Sequence, residues 1–414
     1  MEPQRLTTSF ILSTDLPTIV ALEIHSPETA HAFRADLSAV AETSRAAIGA
    51  QRARSQDNTW NIWCDFCAEH HVDPLLQAVT DPIPYLQVFA QRYRDGRLAK
   101  NGQPVRARTV EDALRAVGQT MASMGAKDHR LEGPNKLEYR LSQLIAGWKR
   151  VDPASVRVKP VPLSLIDYGY QLAANTTSKF QRAVVDMSYI GFYYLNRPGE
   201  YSLPTQDDAL SAPFRLMDVE FSIGQRTFNA STASLADINS ATFARLIFTK
   251  QKNAVPGEKV GHARSGHAYA CPVRALIRRT SALRQDQARP DTPLYEVSEN
   301  NTTRSVAPHH VTAMLRISAA ATFLMVGIDP ATISARSLRA GGAMALLCAQ
   351  VDTDIIRLVG RWRSDEMLRY LHIQAYPLMH SFARAMTAQG SFTLLPGQNI
   401  PAVVLPLLDQ QIPP

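Results

Sequence analysis

The chain has 414 residues, 45% of them hydrophobic, with 44 Lys and Arg against 37 Asp and Glu and a formal charge of +7. That length accommodates two or three domains with a full core, and the modest basic excess suits a phosphate-backbone partner as well as it suits an ordinary basic enzyme. Four cysteines, Cys64, Cys67, Cys271 and Cys348, exclude a disulfide framework and point to a reducing compartment. No apolar run reaches the length of a membrane span, and the N-terminal segment lacks the basic-then-apolar order of a secretory signal.

Residues 1 to about 50 are weakly patterned, with a helical patch near Ala30 to Ala50, and receive no function. From 51 to 150 apolar residues recur at helical spacing. Trp60, Trp63, Cys64 and Cys67 share one face, and Leu86, Phe89 and Tyr93 repeat the pattern. Thr109, with Asp112 three residues on, reads as a capping-box start before Val110, Leu114, Val117 and Met121. Leu137, Leu141, Leu144, Ile145 and Trp148 predict a fourth helix. Four amphipathic helices make a small bundle. Arginines are dense here: Arg52, Arg54, Arg92, Arg94, Arg97, Arg106, Arg108 and Arg115. Those from 92 to 108 cluster around one connection, which favours DNA contact over a merely solvated face. Cys64 and Cys67 have the spacing of a zinc half-site beside His70 and His71. A second pair is missing and both thiols lie on the tryptophan face, so core packing is the expected role.

Pro160 and Pro162 forbid a continuous helix, and the interdomain linker is expected over 151–163. A helix over 178–195 should bury Val184, Met187, Ile190, Gly191 and Tyr194. Pro198 and Gly199 predict a turn just after Arg197. Strands are expected over Phe214 to Ile223 and Ala244 to Thr249, followed by a hairpin turn at Pro256-Gly257. Helices resume over Cys271 to Leu283 and His310 to Val326, with Gly327 as a stop. The order is helices, a small antiparallel sheet, then helices. His262, His267, Cys271, His309 and His310 are scattered around loops, and no metal site is expected from them. The segment after about 388 is proline-interrupted with an apolar patch (Val403, Val404, Leu405, Leu407, Leu408), and a disordered end is expected.

The densest motif runs from Ile333 to His372. Arg336-Ser337-Leu338-Arg339 leads into the small-residue helix Ala340-Gly341-Gly342-Ala343. Gly360-Arg361-Trp362 follows, and Tyr370 lies 31 residues after Arg339 and nine after Arg361. Earlier, Arg197 stands before Pro198-Gly199 with Glu200 three residues on.

This pattern resembles the tyrosine recombinase, or phage-integrase, family. There an Arg of a His-x-x-Arg motif precedes a nucleophilic Tyr by about thirty residues, with a Gly-His or Gly-Trp pair between. The Gly-Arg-Trp-x-Ser-Asp and Arg-Tyr-Leu runs are similar to the DIRS-like and crypton-like recombinases of eukaryotic mobile elements. The likeness covers about residues 55 to 385 and is densest at 333–372.

The resemblance implies a mainly α fold with a small antiparallel sheet. A helical core-binding domain (51–150) and a catalytic domain (164–388) would close around double-stranded DNA, and the tail (389–414) would dock on a neighbour in a homotetramer. It implies strand cleavage and rejoining through a 3′-phosphotyrosyl link, with no metal, ATP or other cofactor, no membrane, and an intracellular location, the nucleus if the host is eukaryotic. Arg92, Arg94, Arg97, Arg106 and Arg108 would contact DNA. Arg197 and Arg339 would be the paired phosphate donors, which suits planar guanidinium groups that give two hydrogen bonds each. Glu200 holds the acidic position beside Arg197. The two glycines after Arg339 would let the backbone approach a phosphate.

Tyr370 would be the nucleophile, on a short helix (Glu366 to Leu371) capped by Ser364 or Asp365, with Tyr376 as the fallback. Lys250 or Lys252 would be the general acid. Both share a strand face with Leu246 and Phe248, so the pleat does not choose, and the mobile-element likeness favours Lys252. Arg336 and Arg361 depart from the family's His and His or Trp. Arg336 keeps a phosphate donor but cannot act as a base. The acceptor of the Tyr proton is then left among water, the phosphate and His372. Three rivals stay open: a recombinase-derived DNA-binding protein that no longer cuts, a type IB topoisomerase-like enzyme, and a helical scaffold with no nucleic-acid role.

Overall fold

The amphipathic periodicity of the first half resolves into four helices in the computed structural model, which describes residues 50–98, 101–153, 159–205, 212–250 and 257–363, with a few isolated positions before them. The helices are α1 (Ala50–Glu69), α2 (Ile83–Arg94), α3 (Ala107–Ser123) and α4 (Tyr139–Val151). They bury Trp60, Trp63, Phe66, Leu86, Phe89, Leu114, Val117 and Leu141 in one core. Trp63 lies edge-on to Phe89 at 5.1 Å, and its indole N–H donates to the Pro74 carbonyl at 2.8 Å, which satisfies the one polar group of that buried ring. Burial raises the Cys64 pKa to about 12 and pushes Cys67 higher still, which keeps both as neutral thiols packed in the core.

Two helix starts differ from the sequence expectation. Thr109 is not a cap, because α3 begins two residues earlier, after Arg106. The N–H of Ala107 is met by the Asp152 carboxylate at 2.8 Å, a residue just past the end of α4 that also pairs with Arg94 at 2.5 Å. The cap is thus supplied from 45 residues away. Leu137 does not open the fourth helix. It belongs to β2 (Lys136–Leu137), paired with β1 (Leu131–Gly133), and Glu138 caps α4 by accepting from the N–H groups of Arg140 and Leu141.

The chain divides into two compact units. One is Met1–Val156 with the short segments Pro204–Pro213 and Phe248–Lys252, and the other is Arg157–Leu203, Phe214–Ile247 and Asn253–Pro414. The second unit starts its helices with α5 (Leu163–Ala174), entered from Pro162. At its centre is α6 (Lys179–Tyr193), capped by Ser178, whose hydroxyl accepts from Gln181 N–H. Residues 183 to 192 of α6 are all buried, because α5, α9 (Pro272–Gln285), α10 (Pro308–Ala321) and α12 (Ser337–Cys348) all pack against it.

The sheet runs in the order β4-β3-β5-β6, with β3 (Val219–Ile223), β4 (Arg226–Asn229), β5 (Phe243–Phe248) and β6 (Glu258–Ala263), and the short helix α8 (Leu235–Ser240) lies between β4 and β5 in the chain. The expected strand from Phe214 is shorter than its apolar run. Leu216–Asp218 forms a 3-10 turn instead, fixed by Asp218 accepting from the N–H and guanidinium of Arg215. A two-residue turn at Gly224 (φ +58°) joins β3 to β4, as a hairpin that opens on glycine requires. A second unforeseen hairpin, β7 (Glu296–Glu299) to β8 (Thr302–Ser305), turns on Asn300 and Asn301, both left-handed. The expected helix His310–Val326 breaks at Thr322 into α10 and the single turn α11 (Phe323–Val326), with Gly327 at φ +65° as its stop. The fold is mainly α with small antiparallel sheets.

Candidate functional site

The buried helix α6 ends in a backbone reversal made by Leu195 at φ +49°. The turn therefore comes from Leu195, two residues before Arg197. Pro198 and Gly199 do not make it; they open a one-turn helix, α7 (Pro198–Tyr201), with Arg197 at its N-cap. Proline suits that place because its missing N–H has no partner in a first helical turn. Glu200 folds back over this turn. Its Oε2 accepts from the Arg197 backbone N–H at 2.8 Å, and its Oε1 accepts from Arg197 Nη1 at 3.0 Å. Glu200 is 1% exposed, whereas the Arg197 side chain keeps 24% of its surface open.

Arg339 lies on the first turn of α12, buried to 5%. Its Nη2 donates to the Gly360 carbonyl at 2.5 Å, and its guanidinium carbon sits 4.3 Å from the centre of the Trp362 ring, a cation–π arrangement. Arg336 stands just outside the helix and is exposed. Gly341 and Gly342 serve close packing inside the fold. A Cβ on Gly341 would lie 2.1 Å from the Val161 carbonyl oxygen, and one on Gly342 would lie 2.1 Å from that of Phe192. The close approach that these glycines allow is thus to α6 and to the chain entering α5, and not to a phosphate.

The last segment is α13 (Thr353–Gly360), capped by Asp352, whose carboxylate accepts from the N–H groups of Asp354 and Ile355. It ends on Arg361 in the left-handed region, φ +58°. That conformation costs a non-glycine residue about 1–2 kcal/mol. Gly360 has to be glycine, because a Cβ there would meet the Trp362 ring at 1.6 Å. Arg361 turns inward. Its Nη2 donates to Glu200 Oε2 at 2.9 Å and its Nη1 to the Tyr194 carbonyl at 3.2 Å. Both side chains of the Arg361–Glu200 pair are 1% exposed. Burial pulls the Arg361 pKa below the usual guanidinium range, and the Glu200 charge opposes that shift.

Three motif segments therefore meet within the second unit: 194–200, 336–342 and 360–362. Two features of this meeting had no sequence signal. Asn196 is fully buried between Leu195 and Arg197, and His262 on β6 lies edge-on to Tyr194 at 4.7 Å. Burial lowers the His262 pKa, partly offset by a hydrogen bond with the Tyr193 backbone.

The remaining expected site residues fall elsewhere. Lys250 is exposed just past β5. Lys252, Tyr370, His372, Tyr376 and the helix expected to carry Tyr370 lie outside the described residues, as does the tail from 389. In the first unit, Arg92 pairs with Glu69 at 2.8 Å, Arg97 with Asp95 at 3.1 Å and Arg108 with Asp112 at 3.3 Å. Arg94 is held by Asp152 and by the Val105 carbonyl. Arg97, Arg106 and Arg108 are exposed, whereas Arg92 and Arg94 are half-buried.

No family model matches the chain, and no curated protein matches it. Among solved structures it is similar to the Tn1549 transposon integrase in complex with circular intermediate DNA, at 13% identity over 73% of this chain and 84% of that one, with a TM-score of 0.39. A second Tn1549 integrase complex is 10% identical over 75% and 85%, with a TM-score of 0.41. XerA recombinase is 15% identical over 94% and 100%, with a TM-score of 0.31.

Proposed function

We propose that this protein cuts and rejoins double-stranded DNA one strand at a time by tyrosine recombinase chemistry. The observation that carries the reading is the Arg361–Glu200–Arg197 chain of hydrogen bonds. It joins residues 161 positions apart, and both ends belong to the motif set that the sequence pattern groups with Arg339 and Tyr370. An unrelated helical scaffold has no reason to gather a buried arginine and a half-exposed one around one buried carboxylate beside a third segment carrying another arginine.

In this reading the Tyr370 oxygen attacks the scissile phosphate and gives its proton to water, the phosphate or His372; a bond forms from that oxygen to phosphorus as the bond from phosphorus to the 5′-oxygen breaks, and the 5′-oxygen leaves with a proton supplied by Lys252 or Lys250. The phosphotyrosyl link conserves the bond energy, and attack by a 5′-hydroxyl reverses the step. Arg197 and Arg339 offset the charge that grows on the non-bridging oxygens, and one such donor is worth about 3–4 kcal/mol in the transition state. Arg336 is an exposed third donor. The bundle arginines other than Arg94 hold the duplex, four copies form the synapse, and the setting is a mobile element in a nucleus.

Covalent trapping tests this. The full chain is incubated with nicked DNA carrying candidate element ends, denatured, and assayed for a protein–DNA adduct. The expected result is an adduct absent from Tyr370→Phe and reduced about 10²–10³-fold in Arg339→Ala. An adduct that persists in Tyr370→Phe moves the nucleophile to another residue such as Tyr376. DNA that is bound at its own site but never linked favours the non-cutting derivative.

A further inference from the structure

Arg361 occupies the place where the resembling family has a His or Trp, yet its surroundings are those of a buried joint. Its side chain is 1% exposed. Nη1 donates to the carbonyls of Tyr194 at 3.2 Å and Val359 at 3.3 Å. Nη2 donates to Glu200 Oε2 at 2.9 Å, with the Leu195 carbonyl at 3.4 Å and Asn196 Oδ1 at 3.5 Å beyond it. The two residues in left-handed backbone at this joint, Leu195 and Arg361, are the two that these bonds connect. Strain of this kind persists only where the surroundings over-determine it.

Glu200 is the fork. One oxygen faces Arg361 and the Arg197 backbone, and the other faces Arg197 Nη1. A buried carboxylate with one cation removed recruits the other more fully, so the side chain that fills position 361 sets how Arg197 is held. The geometry points to Arg361 as a positioning residue that acts through Glu200: it supplies the second cation of the fork and so aims the half-exposed Arg197 outward, and it does not itself touch a phosphate. Lysine can neutralise Glu200 but, as a point charge, cannot also span the Tyr194 and Leu195 carbonyls.

This inference rests on the function proposed above, and its test separates the two. The full-length protein is labelled with ¹⁵N-arginine, and the Arg197 guanidinium resonance is assigned with Arg197→Lys. Arg361→Met, Arg361→Lys and Glu200→Met/Arg361→Met are compared for that resonance, for unfolding midpoint and for adduct formation. Arg361→Met is expected to shift or broaden the Arg197 signal and to slow adduct formation about 100-fold, the scale of a misplaced catalytic group. Arg361→Lys should retain most of the signal.

The double variant should regain the midpoint, because an apolar pair replaces a buried ion pair, while neither the Arg197 signal nor the adduct rate returns. An Arg197 signal that is unchanged in Arg361→Met, or an adduct rate restored in the double variant, overturns the inference and leaves Arg361 a purely structural residue. Should Arg361→Met fail to fold, the double variant and Arg361→Lys decide the question. If the wild type itself forms no adduct, the functional reading fails, and the Arg197 signal still decides the positioning role.

Discussion

Gly342 shows how little room the joint leaves. Its missing Cβ would sit 2.1 Å from the Phe192 carbonyl oxygen and 2.4 Å from Leu195 Cδ2, so a methyl group there has to push α12 away from α6. Gly342→Ala is expected to destabilise the second unit by about 1–3 kcal/mol, the range for overpacked cores, read as a lower urea midpoint. Gly147, where a Cβ meets nothing within 4 Å, is the control: Gly147→Ala should be neutral or stabilising. His262 sets a pH response at the same joint. Its pKa is lowered, chiefly by burial, so below about pH 6.5 the unfolded chain takes up a proton that the folded chain resists. Its contribution to stability is therefore fully present above that pH and is lost as pH falls through the lowered folded value. His262→Phe keeps the ring against Tyr194 and removes the titration. Urea midpoints at pH 7.5 and 5.0 should fall less in His262→Phe than in the wild type.

At the scale of elements, helix ends separate local from tertiary control. Glu138 and Asp352 cap their own helices from adjacent positions. The start of α3 instead depends on Asp152, remote in sequence. Asp152→Ala is expected to lower the stability of the first unit and to expose the Ala107 amide to rapid hydrogen exchange, whereas Thr109→Ala should change neither. Equal effects of the two substitutions would restore Thr109 as the cap. The helix faces were legible because burial imposes a 3.6-residue period, as in Trp60, Trp63 and Cys67 on α1. The hairpins were less so. β4 is four residues with none fully buried, and the paired left-handed asparagines at 300 and 301 carry a turn signal that is weak without glycine.

For the whole molecule, the charge excess matters only through arginines that internal carboxylates leave exposed. Arg94 is committed to Asp152 and Val105, so Arg94→Ala should act on stability. Arg106 and Arg108 are exposed at the start of α3. Replacing both with Ala should weaken binding to any duplex and flatten the slope of log affinity against log salt by about 1 for each phosphate that is no longer neutralised. An unchanged slope would remove these two from the DNA-facing surface.

By itself the sequence determined the helical periodicities and the break at Pro160 and Pro162, because each is a matter of residue type at fixed spacing, whereas the grouping of Arg197, Glu200, Arg339 and Arg361 as one set rests on the resemblance to the recombinase family. It also carried the stop at Gly327, where only a left-handed residue ends the turn. Tertiary structure alone decided what those residues touch. Arg361 reads in sequence only as a departure at the place where the resembling family has a His or Trp, yet it is buried on Glu200. Gly341 and Gly342 look like a cradle, yet they seat α12 against α6 and the chain entering α5. The physical reason is the same in each case. A guanidinium's partner and a glycine's neighbour are set by which backbone passes within a few ångströms, and those backbones here come from more than a hundred residues away.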